Sequence, residues 1–437
     1  MISTESLYTI YLQHPRIYTD SRKLSTGDLF FALKGDNFNG NRFAAEALEK
    51  GAAYAVVDEN PVQPNDRLLV VPDVLKSLQD LAAHHRSRFS IPFIAITGSN
   101  GKTTTKELVH AVLSTSYRTY TTEGNLNNHI GIPLTILKIK SDAELAVIEM
   151  GANHIGEIAG YCRYARPTHG IITNIGKAHL EGFGGIAGVR KGKGELYDWL
   201  RGQSGTAFVM WGYADLREMS EGIREVISYG TKEAWLTGVA EDAPGDSEKH
   251  LRVRLTSCSP EIIIQTHLTG KYNLPNVLAA AAVGTYFKIE PAKIRASIEA
   301  YQPSNSRSQI VQQGSNTIVL DAYNANPSSM KAAIENFAGF PAKEKILVLG
   351  AMMELGPGSL QEHEEIVKLI SSYPWKDVLL VGGDFLKIKH PYRSFANSTA
   401  AGEWLKSAGL TNTSLLVKGS RSMAMEKVVS HLSSVVY

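Results

Sequence analysis

One short stretch of this 437-residue chain has the residue types of a phosphate site. From Ala95 to Val109 it reads AITGSNGKTTTKELV. Gly98 and Gly101 can let backbone N–H groups close on phosphate oxygens. Lys102 can reach the β- and γ-phosphates of a nucleotide, and the Thr103 hydroxyl can bind Mg²⁺. Asn100 and Thr104 complete the loop, and a following helix adds the positive end of its dipole. The pattern departs in one place from G-x-x-x-x-G-K-[ST], because its first glycine position is Ile96. The plain alternative is a tight strand-to-helix turn with an incidental lysine. Strand, glycines, Lys-Thr and helix all fall in register, so nucleotide binding outweighs it.

Phosphoryl transfer needs a metal bridged to the γ-phosphate. ELAVIEMGANH places Glu149 at the carboxyl end of a strand, and GIITNIGKAHLEGFGG places His179 in the loop after the next one. Either residue alone is weak evidence, since a strand-end Glu can cap a helix and a loop His is usually solvated. Two candidate ligands after successive strands favour a metal role, because ligands of an open α/β sheet sit at that edge. GVRKGKGELYDWL adds three basic residues nearby. Arg190 and Lys191 read as a solvated helix face.

The elements that must position these groups follow from the apolar pattern. Ile94 to Thr97 should end a buried strand. Thr103 to Ser116 should be a helix with Leu108, Val109, Val112 and Leu113 on its apolar side. Three segments separate: 1–88, 89–303 and 304–437. The first has short apolar strands (GDLFFALKG, GAAYAVVDE) around the helix-like NRFAAEALEKGA. The polar QPSNSRSQ (302–309) reads as a linker. After it, TIVLDAYNANP, KILVLGAMMELG, DVLLVGGDF and SLLVKGSRSM are apolar strands ending in polar or glycine turns. Strands alternating with helices predict an α/β chain of three domains, with parallel sheets in the middle and last segments. GVAEDAPGDSEKH (238–250) should be an exposed loop or hairpin.

Bulk properties exclude several classes. Lys plus Arg number 45 and Asp plus Glu 43, a net of +2, which gives no electrostatic reason to expect nucleic acid or a membrane surface. Two cysteines, Cys162 and Cys258, cannot build a disulfide framework. The start MISTESLYTIYLQ has neither a basic nor an apolar leader region, and no apolar run reaches the ~18 residues of a membrane span. A soluble cytoplasmic protein is expected, a monomer by default.

At this point the motifs resemble the Mur ligases, over nearly the whole chain. TGSNGKTTT is similar to the shortened ATP loop of that superfamily, which accounts for the missing glycine. GNLNNHIGIPLT (124–135), EMGANHIGEI (149–158) and DAYNANP (321–327) resemble the members that add D-alanyl-D-alanine, rather than those that add single amino acids. DSRKLSTGDLFFALKGDNFNGNRF (20–43) is similar to the family's nucleotide-sugar module. The resemblance implies a small domain for the nucleotide sugar, a central P-loop ATPase-like sheet and a C-terminal Rossmann-like domain. It implies that Lys102 and Thr103 hold ATP phosphates and Mg²⁺. Glu149 and His179 would be metal ligands, with His179 near the chemistry. Lys193, in K-G-E-L-Y, would be carbamylated to fix a second Mg²⁺. Asn276 would contact adenine, and Arg307 and Asp321 the nucleotide. Ser21, Arg22 and Asn41 would meet the uridine diphosphate, while Asn128, Asn324 and Asn326 would face the substrates.

The implied reaction is ATP-dependent ligation of D-Ala-D-Ala to UDP-N-acetylmuramoyl-tripeptide through an acyl phosphate. Four positions depart from the family pattern. Tyr272 and Asn41 stand where His is common, and Ala351 stands where Asp is frequent. FVMWGYAD (208–215) lacks the usual Asn-x-Asp-Asp. A ligase with a different amine donor, a nucleotide switch and a small-molecule kinase are the rival readings. Phosphate release that depends on D-Ala-D-Ala separates the first two, and an amide rather than phosphorylated product separates the third.

Overall fold

A computed structural model describes residues 1–60, 65–241, 250–304 and 306–432. Among them a nine-stranded sheet forms the middle of the molecule. Its order runs Ile262–Thr269, His250–Leu255, Leu236–Glu241, Glu225–Gly230, Thr206–Met210, His169–Ile172, Phe93–Thr97, Leu145–Glu149, Thr119–Thr121. The run from Thr119–Thr121 to Leu236–Glu241 is parallel. Its inner strands Phe93–Thr97, Leu145–Glu149, His169–Ile172 and Thr206–Met210 are buried at every position. That is why they read as continuous apolar runs, since helices cover both faces of such a sheet. The 238–250 segment contributes antiparallel strands Leu236–Glu241 and His250–Leu255, while 242–249 lie outside the described residues.

The loop helix spans Lys102–Leu113 and buries Leu108, Val109, Val112 and Leu113 as its periodicity predicts. It stops three residues before the predicted Ser116. Thr115 Oγ1 accounts for this by donating to Val112 O (2.7 Å), a side-chain bond that competes with the helix ladder. The apolar helix Leu274–Tyr286 packs along it.

The C-terminal sheet runs Gln309–Gln313, Asn316–Asp321, Thr413–Lys418, Glu344–Gly350, Asp377–Val381, Arg393–Phe395. Only the first pairing is antiparallel. All four predicted apolar runs appear as its inner strands. The polar segment after 302 is more than a linker, because it leads directly into the edge strand Gln309–Gln313, and Ser308 is buried.

The first segment has a four-stranded parallel sheet, Ile17–Tyr18, Leu29–Phe31, Tyr54–Val57, Leu68–Val70. Its two faces differ. Phe30, Ala44, Leu48 and Val57 form a small core of their own, whereas Leu7, Tyr11, Leu78 and Leu81 belong to the core of the central sheet. Buried Arg86 fastens the seam. It donates to Ala165 O (2.9 Å), Arg166 O (3.0 Å) and Phe89 O (2.7 Å), and its guanidinium lies 3.7 Å from the Phe93 ring centre. The Ala165 and Arg166 carbonyls end the helix Glu157–Ala165, where a cation also meets the negative end of the dipole.

The nine-stranded sheet contains a titratable test of its packing. His169 is packed against Phe208, Tyr286 and Phe287 with ring centres 5.4–6.2 Å away. Burial lowers its pKa to about 4, with Glu225 opposing. The native state therefore binds fewer protons than the unfolded chain between about pH 6.5 and 4, and stability falls as pH drops through that window. His169→Leu should remove that share of the loss, on the order of 3 kcal/mol between pH 7 and 4. Urea midpoints measured for both proteins across that range would show it; parallel curves would refute the neutral, buried histidine.

Candidate active site

Three adjacent strands, Leu145–Glu149, Phe93–Thr97 and His169–Ile172, point their carboxyl ends the same way. Their following loops converge on one cleft of about 940 Å³, whose far wall comes from the C-terminal sheet. The phosphate loop is shaped by close approach. Gly98 has φ 137°, and a Cβ there would lie 2.0 Å from Thr173 Oγ1. Gly101 has φ 78°, and a Cβ would lie 2.6 Å from Asn276 Oδ1. No other residue type fits either position without displacing a partner.

The loop rests on the segment that follows the strand His169–Ile172. Thr173 Oγ1 donates to Asn100 O (2.6 Å). Asn174 grips the same residue twice: Asn100 N donates to its Oδ1 (3.0 Å) and its Nδ2 donates to Asn100 O (3.0 Å). Ser99 N donates to Asn174 O (3.0 Å), and Ser99 Oγ to Gly176 O (3.0 Å). Lys102 folds back, donating to Gly98 O (2.7 Å) and Ser99 O (3.3 Å). Burial lowers its pKa; Glu149 opposes this and Arg307 adds to it.

Glu149 is buried beside the loop. Its Oε1 accepts from Thr103 Oγ1 (3.1 Å) and from Asn127 Nδ2 (2.7 Å). Its Oε2 is buried without a partner. A buried carboxylate oxygen left bare next to a threonine hydroxyl is what a cation would satisfy. Among the described residues no three His, Cys, Asp or Glu side chains cluster tightly enough to hold an ion by themselves. Mg²⁺ suits such a place, since it takes one or two carboxylates and completes its shell with phosphate and water.

Lys193 is fully buried and does not line the cleft. Its Nζ donates to Ala152 O (3.0 Å), which does line it, and lies 5.0 Å from the Phe183 ring centre. Burial, reinforced by Lys102, pushes its pKa well down, although Glu157 and Glu195 oppose. Glu195 itself is occupied with Gly156 N (2.5 Å) and Ala159 N (2.8 Å) at the start of the helix Glu157–Ala165. Lys191 is exposed and Arg190 pairs with Glu218 (2.8 Å), as a solvated helix face predicts.

From the C-terminal wall, Asp321 accepts from Lys418 Nζ (2.6 Å) and Ser308 N (3.2 Å). The Arg307 guanidinium lies 3.5 Å from the Tyr323 ring centre, with Nε buried and unpartnered. Asn326 caps the helix Pro327–Ala338 and donates from Nδ2 to Asn100 Oδ1 (2.8 Å), joining the two sheets through the phosphate loop.

The cleft thus gathers Asn100, Gly101, Lys102, Thr103, Thr104, Glu149, His179, Asn276, Arg307 and Asp321, with Asn128, Asn324 and Asn326. It does not gather Ser21, Arg22 or Asn41. Arg22 forks onto Asp20 (2.9 Å to each oxygen), and the Asn41 amide is engaged with Asp58 and Asn39. Asn128 caps its own turn through Ile130 N and Gly131 N. Both ends of the Asn276 amide are committed, to Thr105 Oγ1 (3.1 Å) and Asn273 Oδ1 (2.8 Å). Thr173, Asn174, Asn127, Tyr323 and Lys418 escaped the sequence reading. Thr173 and Asn174 adjoin the strand before His179, Asn127 sits within NLNN, Tyr323 lies inside DAYNANP, and Lys418 ends the strand of SLLVKGSRSM, so each lay in or beside a quoted stretch without being marked by it.

Fold and cleft together define a P-loop nucleotide enzyme built on three main sheets. Models of the Mur ligase family match three stretches: the catalytic domain at 16–86, the middle domain at 96–284 and the glutamate ligase domain at 306–429. The UDP-N-acetylmuramoyl-tripeptide–D-alanyl-D-alanine ligase of Bacillus subtilis is 35% identical over 432 residues, 95% of this chain and 92% of its own. That of Escherichia coli is 36% identical over 431 residues, 95% and 93%. Crystal structure I of MurF from Acinetobacter baumannii superposes with TM-score 0.86 at 31% identity, covering 95% of this chain and 93% of that one. MurF from Thermotoga maritima in complex with ADP gives 0.85 at 27%, covering 96% and 97%. The chain belongs to the Mur ligase family.

The brace beneath the loop can be tested directly. Asn174→Ala removes two side-chain bonds to Asn100, each worth about 1 kcal/mol net. ADP affinity measured by calorimetry should fall roughly tenfold with unchanged circular dichroism. Wild-type affinity would mean that the remaining Thr173 and Ser99 bonds hold the loop unaided.

Proposed function

We propose that this chain is an ATP-dependent amide ligase that joins D-alanyl-D-alanine to UDP-N-acetylmuramoyl-tripeptide in peptidoglycan synthesis, releasing ADP and phosphate. The observation that supports it most is the cleft itself: a phosphate loop, a half-satisfied buried carboxylate and a second sheet closing on the loop through Asn326. Full-length relatives named for this reaction support the choice of substrates.

Forming an amide from a carboxylate is uphill in water. The terminal carboxylate oxygen of the tripeptide attacks the γ-phosphorus, and the bond to the β,γ-bridging oxygen breaks, leaving ADP. The amino nitrogen of D-Ala-D-Ala then attacks the acyl carbon, loses a proton, and phosphate departs from the tetrahedral intermediate. Anions meet anions throughout, so the protein's task is charge neutralisation and alignment. Lys102 would leave the Gly98 and Ser99 carbonyls for the phosphates, and the loop amides would follow. Arg307, over the Tyr323 ring with Nε unpartnered, and Asp321, held by Lys418, would take the nucleotide from the C-terminal side. Asn276 supports this arrangement from beneath Gly101. Thr103 and Glu149 would hold one Mg²⁺, and His179 with a modified Lys193 a second. Mg²⁺ bound there supplies positive charge against the transferring phosphoryl group. Ser21, Arg22 and Asn41 lie in two short helical turns of the first segment, where the uridine diphosphate end would lie, with Arg22 exchanging Asp20 for phosphate. Asn128, Asn324 and Asn326 face the shared cleft and suit the peptide ends.

Mass spectrometry of the product from ATP, the UDP-linked tripeptide and D-Ala-D-Ala tests the whole reading. A pentapeptide product with ADP is expected. Equal phosphate release with single amino acids and no pentapeptide would favour another amine donor.

The Lys193 surroundings suit carbamylation, because only a neutral amine adds CO₂, and the added carbon dioxide turns a buried cation into an oxygen-bearing anion. Lys193→Ala should be nearly inactive and partly rescued by short-chain carboxylates, while Lys191→Ala keeps most activity. A Lys193→Ala enzyme as active as Lys191→Ala would remove the carbamate from the mechanism.

A further inference from the structure

His179 and Glu354 meet across the seam between the central and C-terminal sheets, and both are backbone outliers. Their φ angles are 52° and 61°. Non-glycine residues adopt this conformation at a cost of order 1 kcal/mol, and keep it only where the surroundings over-determine it.

The surroundings do so on both sides. Glu354 Oε2 is hydrogen-bonded to His179 Nδ1, and Glu354 O accepts from Glu181 N (3.2 Å). Behind Glu354, Met352 N donates to His363 Nε2 (3.0 Å) and Met353 N to Ser420 Oγ (2.9 Å). His363 is fully buried and its Nδ1 faces Ser359 O (2.7 Å), so Nδ1 bears the proton and Nε2 is the accepting nitrogen. The Glu354 turn is therefore fixed before it reaches the central sheet. Nearby, Lys177 pairs with Glu362 (2.6 Å), an inter-sheet contact that does not involve His179.

A carboxylate can only accept, so the His179 proton sits on Nδ1. In the neutral ring that leaves the lone pair on Nε2, which has no hydrogen-bond partner among the described residues, while the ring lines the cleft. A carboxylate behind the remote nitrogen is how a metal-binding imidazole is usually oriented. Here the carboxylate comes from the other sheet.

We propose that Glu354 is a positioning residue for His179, holding Nδ1 from the C-terminal sheet so that Nε2 faces a divalent cation in the cleft, and that cation binding and docking of the C-terminal sheet are thereby one linked equilibrium. The linkage is reciprocal: whatever the docked carboxylate adds to cation affinity, the cation adds to docking. This rests on the reading of His179 as a metal ligand given above.

The test uses the full chain with ADP and Mn²⁺ as a paramagnetic probe, its dissociation constant read by electron paramagnetic resonance. Glu354→Ala should weaken Mn²⁺ about tenfold, the lower end of the usual effect of losing such a partner. Glu354→Gly, which suits the left-handed turn, should do the same, separating the carboxylate from the turn. Glu362→Gln breaks the neighbouring contact and should stay within about twofold. In a His179→Ala background Glu354→Ala should add nothing. Small-angle scattering should show Mn²⁺–ADP compacting the wild type more than Glu354→Ala. Wild-type Mn²⁺ affinity in both Glu354 variants overturns the proposal, as does an equal loss in Glu362→Gln or an undiminished loss without His179. If His179→Ala itself leaves Mn²⁺ affinity unchanged, the metal reading of His179 fails and takes the proposal with it.

Discussion

A missing side chain at Gly98 sets the geometry of the site. Thr173 Oγ1 occupies the space a Cβ would need, and from there it holds the carbonyl of Asn100. That contact lets the ends of two parallel strands approach closely enough for Asn174 to hold Asn100 by both backbone groups. With its backbone fixed, Asn100 turns its side chain to Asn326 on the other sheet. One close approach thus determines the curvature of the phosphate loop and the place where the C-terminal sheet docks. The helix N-terminus and the lysine depend on it, because neither would point at phosphate from a differently curved loop.

The second constraint is electrostatic. Lys102, Lys193, Glu149 and Lys418 are buried or nearly so, and burying charge is costly unless it is paired. Lys418 is paired with Asp321. The others are not fully satisfied: Lys102 and Lys193 donate only to backbone carbonyls, and Glu149 keeps one bare oxygen. Such a site is held open by the stability of the surrounding sheets. Anionic phosphates, a divalent cation and an anion on Lys193 would each relieve one of these charges. Ligand binding and the electrostatic strain of these incompletely paired charges are therefore two views of the same free energy.

Much of this was legible in the sequence, for identifiable reasons. Fully buried parallel strands make unbroken apolar runs, so FIAIT, LAVIE and the four C-terminal strands stood out. The phosphate loop was legible because glycine, lysine and threonine are each needed at fixed offsets. Contacts between segments distant in sequence were not. Asn174 and Asn127 act through partners 74 and 22 residues away, and their polar side chains follow no period. The shared core of the first segment was also hidden, since nothing local marks Tyr11 or Leu81 as facing the central sheet rather than their own. His179 was marked by its position after a strand, but its partner Glu354 lies 175 residues on, in a turn whose residues carry no signal of their own.

The departures from the family pattern each have a local packing or hydrogen-bonding role. Ala351 is fully buried, and a Cβ on Gly383 would come within 2.4 Å of its methyl group, so the turn toward Glu354 is packed around a small side chain. An aspartate there would bring a charge into that contact. Asn41 bridges Asp58 and Asn39 with both ends of its amide, which stabilises a turn of the first sheet without any titrating ring. Tyr272 hydroxyl meets Ser308 Oγ (3.1 Å), linking the turn that leads into the helix Leu274–Tyr286 to the segment that carries Arg307 just before the strand Gln309–Gln313. The WGYAD turn is held by Trp211 N on Tyr229 O (2.8 Å) and places Tyr213 and Asp215 on the cleft. In Asn41 and Tyr272 the replacing residue makes a hydrogen bond within or between segments. Ala351 acts by its small size. Of these positions only Tyr272 joins two segments, whereas Asn41, Ala351 and the WGYAD turn act within one, and none of these contacts involves the glycines, lysine and threonine that the chemistry of the phosphate loop requires.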